Sequence, residues 1–392
     1  MTTNTVLIGT SLRDLPVQRY FAALGRELVA SGYGVILLVY GPIEDASYVD
    51  SRITILRWPS PRPTRLADMM FFDRLVRRVR PCCVVSNFGA MTIMMTVGAL
   101  RSVPVRIHWH HTLSRQVEAD DPGRPFRLRL LRLRARIPFG FATHTIANSN
   151  AAREDLNENF GVPLKKCQVF WNSLADPMAN SVLPPVLGAN RPGSFQFLCA
   201  GRFAVSKGQD ILLKALAEVV RGHPDVALEF VGNGPGMDSC EKLADQLGVR
   251  RKCSFAGYLP HRQVLSRMAG SWATVVPSRN EAFGLVNIES MAVGVPVIGA
   301  NTGGIAEIIR DGVDGFLFPP GDHRALAQRM IQMVENKNLR AEMAGNARCR
   351  FLEQFELSRA VQTQARWITE QVGRATDGSS NTRVAASSSK TT

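Results

Sequence analysis

The 392-residue chain is long enough for two or three domains, and its 45% hydrophobic content excludes global disorder. Its formal net charge of +14, with 23 basic against 14 acidic residues over 1–185, favours anionic partners: nucleic acid, phosphorylated ligands or an anionic membrane. No run of about 18 uncharged apolar residues occurs, so no transmembrane helix is expected. The start "MTTNTVLIGTSLRD" lacks the basic region of a secretory signal, and seven scattered cysteines without a C-x-x-C pair read as free thiols in a reducing cytoplasm.

In chain order, short β-rich runs alternate with amphipathic stretches. Strands are predicted at 6–9, 35–40, 53–58, 82–87, 105–109, 144–149 and 167–172, with helical pattern between them as in "VQRYFAALGRELVASG". The Pro- and Gly-rich stretch 173–193 reads as a linker. The pattern then restarts, with strands at 195–201, 227–232, 253–258, 273–278, 296–300 and 315–318. This order predicts an α/β protein of two Rossmann-like domains facing a cleft, over 1–180 and 190–355. A last helix over 356–373 is predicted to cross back to the first domain, and the Ser/Thr-rich tail 375–392 to be disordered.

Several stretches carry chemistry. In "CAGRFAVSKGQDILLKAL" a strand ends at Gly201, and Arg202 and Lys207 stand before a helix, where both cations can converge on one diphosphate. "FVGNGPG" places Asn233 among three glycines after a strand, and "FAGYLP" puts Tyr258 and Leu259 at a strand end, a wall for a base. In "EAFGLVNIESMAVGVPVIG" Glu281 precedes a helix start and Glu289 lies inside the helix. A helix start favours anions, so acids beside one suggest a ligand with both phosphate and hydroxyl groups.

"GRFAVSKG", "FVGNGP", "FAGYLP" and "PSRNEAFGLVNIESMAVGVPVIGANTGGIAEIIRDGVDGFLFPPGD" resemble the donor-binding half of retaining glycosyltransferases of family 4, which have the GT-B fold. "ANSNAAREDLNENFGVPLKKCQVFWNSLAD" in the first half agrees more loosely. The resemblance implies a nucleotide-diphosphate sugar as co-substrate and no separate cofactor. Glu281 would sit near the anomeric centre, with Phe283, Gly284 and Leu285 offering backbone N–H groups. Glu289 would grip the ribose hydroxyls, and Arg202 and Lys207 would neutralise the leaving diphosphate. In "VPVRIHWHHTLS", His110 aligns with the family's strand-end histidine facing the donor sugar, with His111 beside it. Strand alternation sends His108 and His110 to one side, as a metal pair would lie, but no third ligand is visible. No metal is therefore assigned.

Two departures from the family pattern stand out. Thr10, Ser11 and Arg13 occupy the first strand–helix turn, where many members carry a Gly-Gly pair, and Asn172-Ser173 replaces Asn-Gly. No carboxylate is evident on the opposite face of the sugar for a double displacement, so front-face substitution with retention is preferred. The implied activity is transfer to a lipid-linked, polysaccharide or glycolipid acceptor. Alternatives are a GT-B nucleotide-sugar epimerase or phosphorylase, or a degenerate nucleotide-sugar-binding protein. Nucleic acid is disfavoured for want of a stacking motif or recognition helix. Finally, "GRPFRLRLLRLRARIPFGF" carries Arg124, Arg127, Arg129, Arg132, Arg134 and Arg136 with interleaved leucines and no acid. It predicts peripheral attachment to an anionic membrane, on the inner face of the cell membrane, through Arg127, Arg129, Arg132 and Arg134.

Overall fold

A computed structural model of the chain describes residues 4–12, 16–43, 45–121, 123, 125–179 and 196–388, the side chains of 88, 125–128 and 378–388 excepted. The first domain holds seven strands: β1 (Thr5–Leu12), β2 (Gly34–Ile43), β3 (Thr54–Arg57), β4 (Cys83–Asn87), β5 (Val105–His110), β6 (His144–Ala147) and β7 (Cys167–Val169). The second holds β8 (Phe197–Ala200), β9 (Leu228–Val231), β10 (Cys253–Phe255), β11 (Ala273–Val276), β12 (Val297–Ala300) and β13 (Gly315–Phe318). Each strand predicted from its β-branched run is present.

The sheet orders are β3-β2-β1-β4-β5-β6-β7 and β10-β9-β8-β11-β12-β13, with every pairing parallel. Parallel strands require crossovers, and helices cover both faces of each sheet. Strand order reverses between β1 and β4 and again between β8 and β11. Ligands of such sheets sit outside the carboxyl ends of the strands at these switch points.

The last helix, Leu357–Ser388, returns to the first domain. Its Leu357, Val361, Ala365, Ile368 and Val372 fall on one face at three- and four-residue spacing and enter the core formed by Phe21, Leu24, Trp109 and Ile146. Two segments cross between the domains side by side. Leu174 N–H donates to Phe355 O at 3.1 Å and Leu357 N–H to Leu174 O at 3.1 Å. Arg348 clamps them through a fork onto Asp176 at 2.8 and 2.7 Å. The linker predicted at 173–193 is thus ordered through 179, and its remainder lies outside the described residues.

Two readings are corrected here. The last helix runs to Ser388 rather than ending near 373, because once a helix is nucleated each added residue gains one hydrogen bond; 389–392 lie outside the described residues. β1 continues through Leu12, with a register shift between Thr10 and Leu12, so Thr10 and Ser11 are buried strand residues rather than part of the first strand–helix turn. Ser11 Oγ is occupied by Gln18 Nε2 at 3.1 Å. Arg13 lies outside the described residues. All seven cysteines are free, and six are buried.

Candidate active site

Between the carboxyl ends of the two sheets lies a cavity of about 290 Å³. From the second domain it is lined by Gly201, Arg202, Lys207, Ser278, Glu281 and the backbone turn Phe283–Leu285; from the first, by His111, Asn148 and Asn172. Lys207 closes a short 3₁₀ turn after β8, Val205–Lys207, and its Nζ meets Glu281 Oε2. Ser278 Oγ also donates to that oxygen, at 3.3 Å. Glu281 is only 7% exposed, so this pair satisfies a carboxylate that would be costly to leave unpaired. Arg202 lines the same cavity and is exposed.

The loop carrying Glu281 is held by close backbone approach. Gly284 has φ +94° and caps the Leu285–Ala292 helix, whose N-terminus opens on the cavity. A Cβ on Gly303 would stand 2.0 Å from Glu281 O, so no side chain fits there, and Gly304 N–H donates to that carbonyl at 3.0 Å. The side chain of Phe283 is buried in the core, so only its backbone can face a ligand. Free N–H groups at a helix start beside two cations make a seat for an anion.

The nucleotide half of the predicted site lies beyond this cavity, along the ends of β9 and β10. Glu289 is 7% exposed inside its helix and meets His261 Nε2 at 2.9 Å. Asn233 is exposed, and its backbone carbonyl accepts from Phe203 N–H at 3.0 Å. Tyr258 is 72% exposed, while Leu259 packs partly against the core beneath.

Among the described residues, hydrogen bonds join the two domains at three places around the cleft. Ser206 N–H donates to Asp120 Oδ1 at 3.0 Å. Ser149 Oγ donates to Ala282 O at 2.5 Å and accepts from Ala152 N–H at 2.9 Å. The Glu307 carboxylate accepts from Asn150 N–H at 3.0 Å, Asn150 Nδ2 at 2.9 Å, Ala151 N–H at 3.1 Å and Trp171 Nε1 at 3.1 Å. A carboxylate of one domain therefore caps the Asn150–Phe160 helix of the other.

The histidines are redistributed relative to the sequence reading. His108 and His110 do share a side of β5, with ring centroids 6.1 Å apart, but that side faces Phe139 and Phe160. His108 Nδ1 is held by Ser86 Oγ at 2.9 Å. His110 therefore points away from the cavity, and His111, beyond the strand end, lines it. Burial pushes His110 down to about 4 and His111 to about 3, so both rings are neutral at physiological pH. Among the described residues no group of three or more His, Cys, Asp or Glu is placed to hold a metal ion.

Sequence reasoning missed Asn148, Ser278, His261 and Glu307. Asn148 had a usable signal, since it stands near the carboxyl end of the strand predicted at 144–149, and β6 itself ends one residue before it. The other three act through partners that local pattern does not reveal.

The family model for glycosyl transferases group 1 matches residues 188–350, and that for glycosyltransferase family 4 matches 17–174. The glycogen synthase of Mycobacterium tuberculosis is 30% identical over 213 residues, covering 54% of this chain and 50% of that protein. The GDP-mannose-dependent alpha-(1-6)-phosphatidylinositol monomannoside mannosyltransferase of Mycolicibacterium smegmatis is 31% identical over 153 residues, covering 37% and 40%. These matches thus span half or less of the curated relatives' length. In fold, the sucrose-phosphate synthase of Thermosynechococcus elongatus superposes with a TM-score of 0.75 at 20% identity, covering 95% of this chain and all of that one. Two parallel sheets meeting over an acid–lysine pair, with both halves matched, lead to one conclusion: the chain belongs to the glycosyltransferases of family 4 and has the GT-B fold.

Proposed function

We propose that this chain moves a hexose, with retention at the anomeric carbon, from a nucleotide-diphosphate sugar to a hydroxyl of a lipid-linked or saccharide acceptor. The observation that carries the reading is the Lys207–Glu281 pair inside the cleft cavity, beside Arg202 and an open helix start. Cleavage of the sugar–phosphate bond leaves negative charge on the diphosphate and positive charge on the ring. Arg202, Lys207 and the N–H groups at Gly284 and Leu285 stabilise the first, so charge already present in the chain does the work a metal ion would do elsewhere. The Glu281 carboxylate lies where the ring charge develops. With neutral His111 across the cavity and, among the described residues, no second carboxylate lining it, the leaving phosphate takes the acceptor's proton on the same face. Glu289, held by His261, is assigned to the ribose.

The acceptor class is supported by the names of the relatives, one a glycogen synthase and one a phosphatidylinositol mannoside transferase. It is also supported by a basic, apolar face on the first domain. On the Pro125–Phe141 helix, Leu130, Leu131, Leu133 and Ile137 are exposed beside Arg129, Arg134 and Arg136, while Arg132 pairs with Glu118 at 2.5 Å. Leu66, Met69 and Met70 of the Leu66–Val79 helix are exposed as well. Such leucines do not pack on the sheet, and with arginines among them they suit an anionic leaflet. Among the described residues no helix is long and apolar enough to cross a membrane. The deciding experiment incubates the protein with UDP- and GDP-linked hexoses, with and without chelator, and reads the anomer of the released or transferred sugar. Inversion sinks the retaining mechanism, and loss of turnover with chelator sinks the metal-independent one.

A further inference from the structure

Asn148 is 2% exposed, lines the cleft cavity, and its Oδ1 has no hydrogen-bond partner among the described residues. A buried amide oxygen left unpaired keeps the full cost of its lost hydration, so such atoms demand an explanation. Alternation along β6 gives one. Ile146 packs in the core under the terminal helix and Ala147 on the opposite side with Phe139, so Asn148 turns to the side of Phe21, where His111 also lies. The cavity's other polar groups do not serve it. Lys207 and Ser278 are both committed to Glu281. The volume of about 290 Å³ equals the liquid share of about ten waters, at ≈30 Å³ each, which is room for a monosaccharide.

We propose that Asn148 is a specificity-determining residue whose amide oxygen accepts a hydrogen bond from a sugar hydroxyl held between Glu281 and His111. This rests on the function proposed above and adds a contact from the first domain to the sugar itself. It makes closure of the cleft a condition for reading the sugar, because Asn148 and Glu281 belong to different domains. It also explains why an orphan acceptor is kept in a buried place: an apolar residue there would fit the empty protein better and the substrate worse.

The test uses the full chain and Asn148→Leu, similar in size without the acceptor. Calorimetry with UDP- and GDP-linked hexoses is compared with UDP and GDP alone. In the wild type the favoured sugar nucleotide binds more tightly than its free nucleotide. In Asn148→Leu that increment is expected to fall tenfold or more while free-nucleotide affinity stays within twofold and the unliganded melting temperature holds or rises. Hydrolysis of the donor without acceptor and transfer with acceptor are then measured. Loss in both assigns the hydroxyl to the donor sugar, and loss in transfer alone assigns it to the acceptor. If neither changes, Asn148 is satisfied by water and the proposal is overturned. If melting temperature and nucleotide affinity fall together, its role is structural and the proposal is equally overturned. A wild type that binds no sugar nucleotide of the panel more tightly than UDP or GDP sinks the function proposed above, and this inference with it.

Discussion

Replacing Glu307 with alanine removes four hydrogen bonds that join the domains, two of them to the first N–H groups of the Asn150–Phe160 helix. Water can reach the Asn150 bonds, so they do not count at full strength. A lost helix cap costs about 1 kcal/mol, and a hydrogen bond from the Trp171 indole to a charged group is worth about 1.5 kcal/mol at the low end. The expected loss is about 2.5 kcal/mol. For a domain of this size that lowers the melting temperature by about 5–10 °C. Glu307→Gln keeps one acceptor oxygen but turns an NH₂ group toward an N–H donor, and should lie about midway. Thermal unfolding reads the stability, and small-angle scattering reads the domain angle. Glu307→Ala should show a larger radius of gyration and a lower kcat with little change in nucleotide affinity, since the donor loop itself is intact. An unchanged melting temperature together with an unchanged scattering profile would refute the view that this carboxylate sets the angle between the halves.

Glu281→Gln and Lys207→Ala should each abolish most transfer, but they differ in stability. Lys207→Ala strands a buried carboxylate and should cost up to about 3 kcal/mol, whereas Glu281→Gln should cost less; equal melting temperatures would argue against the pair. Glu289→Ala should weaken nucleotide binding, and His261→Ala should do so to a smaller extent; unchanged affinity in both variants would remove them from the ribose. The buried His108, His110 and His111 stay neutral in the folded chain until well below the ordinary value of 6.5, to about 4 for His110 and about 3 for His111. Between pH 6.5 and 4 the unfolded chain therefore binds more protons, so stability is full above 6.5 and falls on acidification, by at most about 1.4 kcal/mol per pH unit for each ring. A flat melting temperature across that window would count against their burial. Changing Arg127, Arg129, Arg132 and Arg134 to Gln should reduce co-sedimentation with anionic vesicles at low salt and leave donor hydrolysis intact; a wild type that ignores such vesicles removes the membrane reading.

The strands were legible because parallel sheets buried on both faces write themselves as short β-branched and aromatic runs, as in "VILLVY" and "CCVVSN". The acid–lysine site was legible because its residues lie in two contiguous stretches next to strand ends. What was not legible depended on where a strand stops. β1 carries on through Thr10 and Ser11, since the β-branched Thr10 suits a strand and the small Ser11 beside it is accommodated in the same buried strand. β5 ends at His110, so the parity that placed His110 correctly beside His108 gave no guidance for His111 one residue on. Glu307 was silent because its partners are up to 157 residues away in sequence.

The Ser149 hydroxyl puts a toll on opening the cleft. It holds the Ala282 carbonyl, next to Glu281, with one hand and the third N–H of its own helix with the other. Any separation of the halves large enough to let a nucleotide leave strips that carbonyl of its donor, and the donor loop must wait for water or for reclosure to regain one. On the function proposed above, departure of the spent nucleotide would be tied to loosening of the loop that carries Glu281. A Ser149→Ala chain would then be expected to exchange nucleotide faster, with residence time moving more than the bond-breaking step.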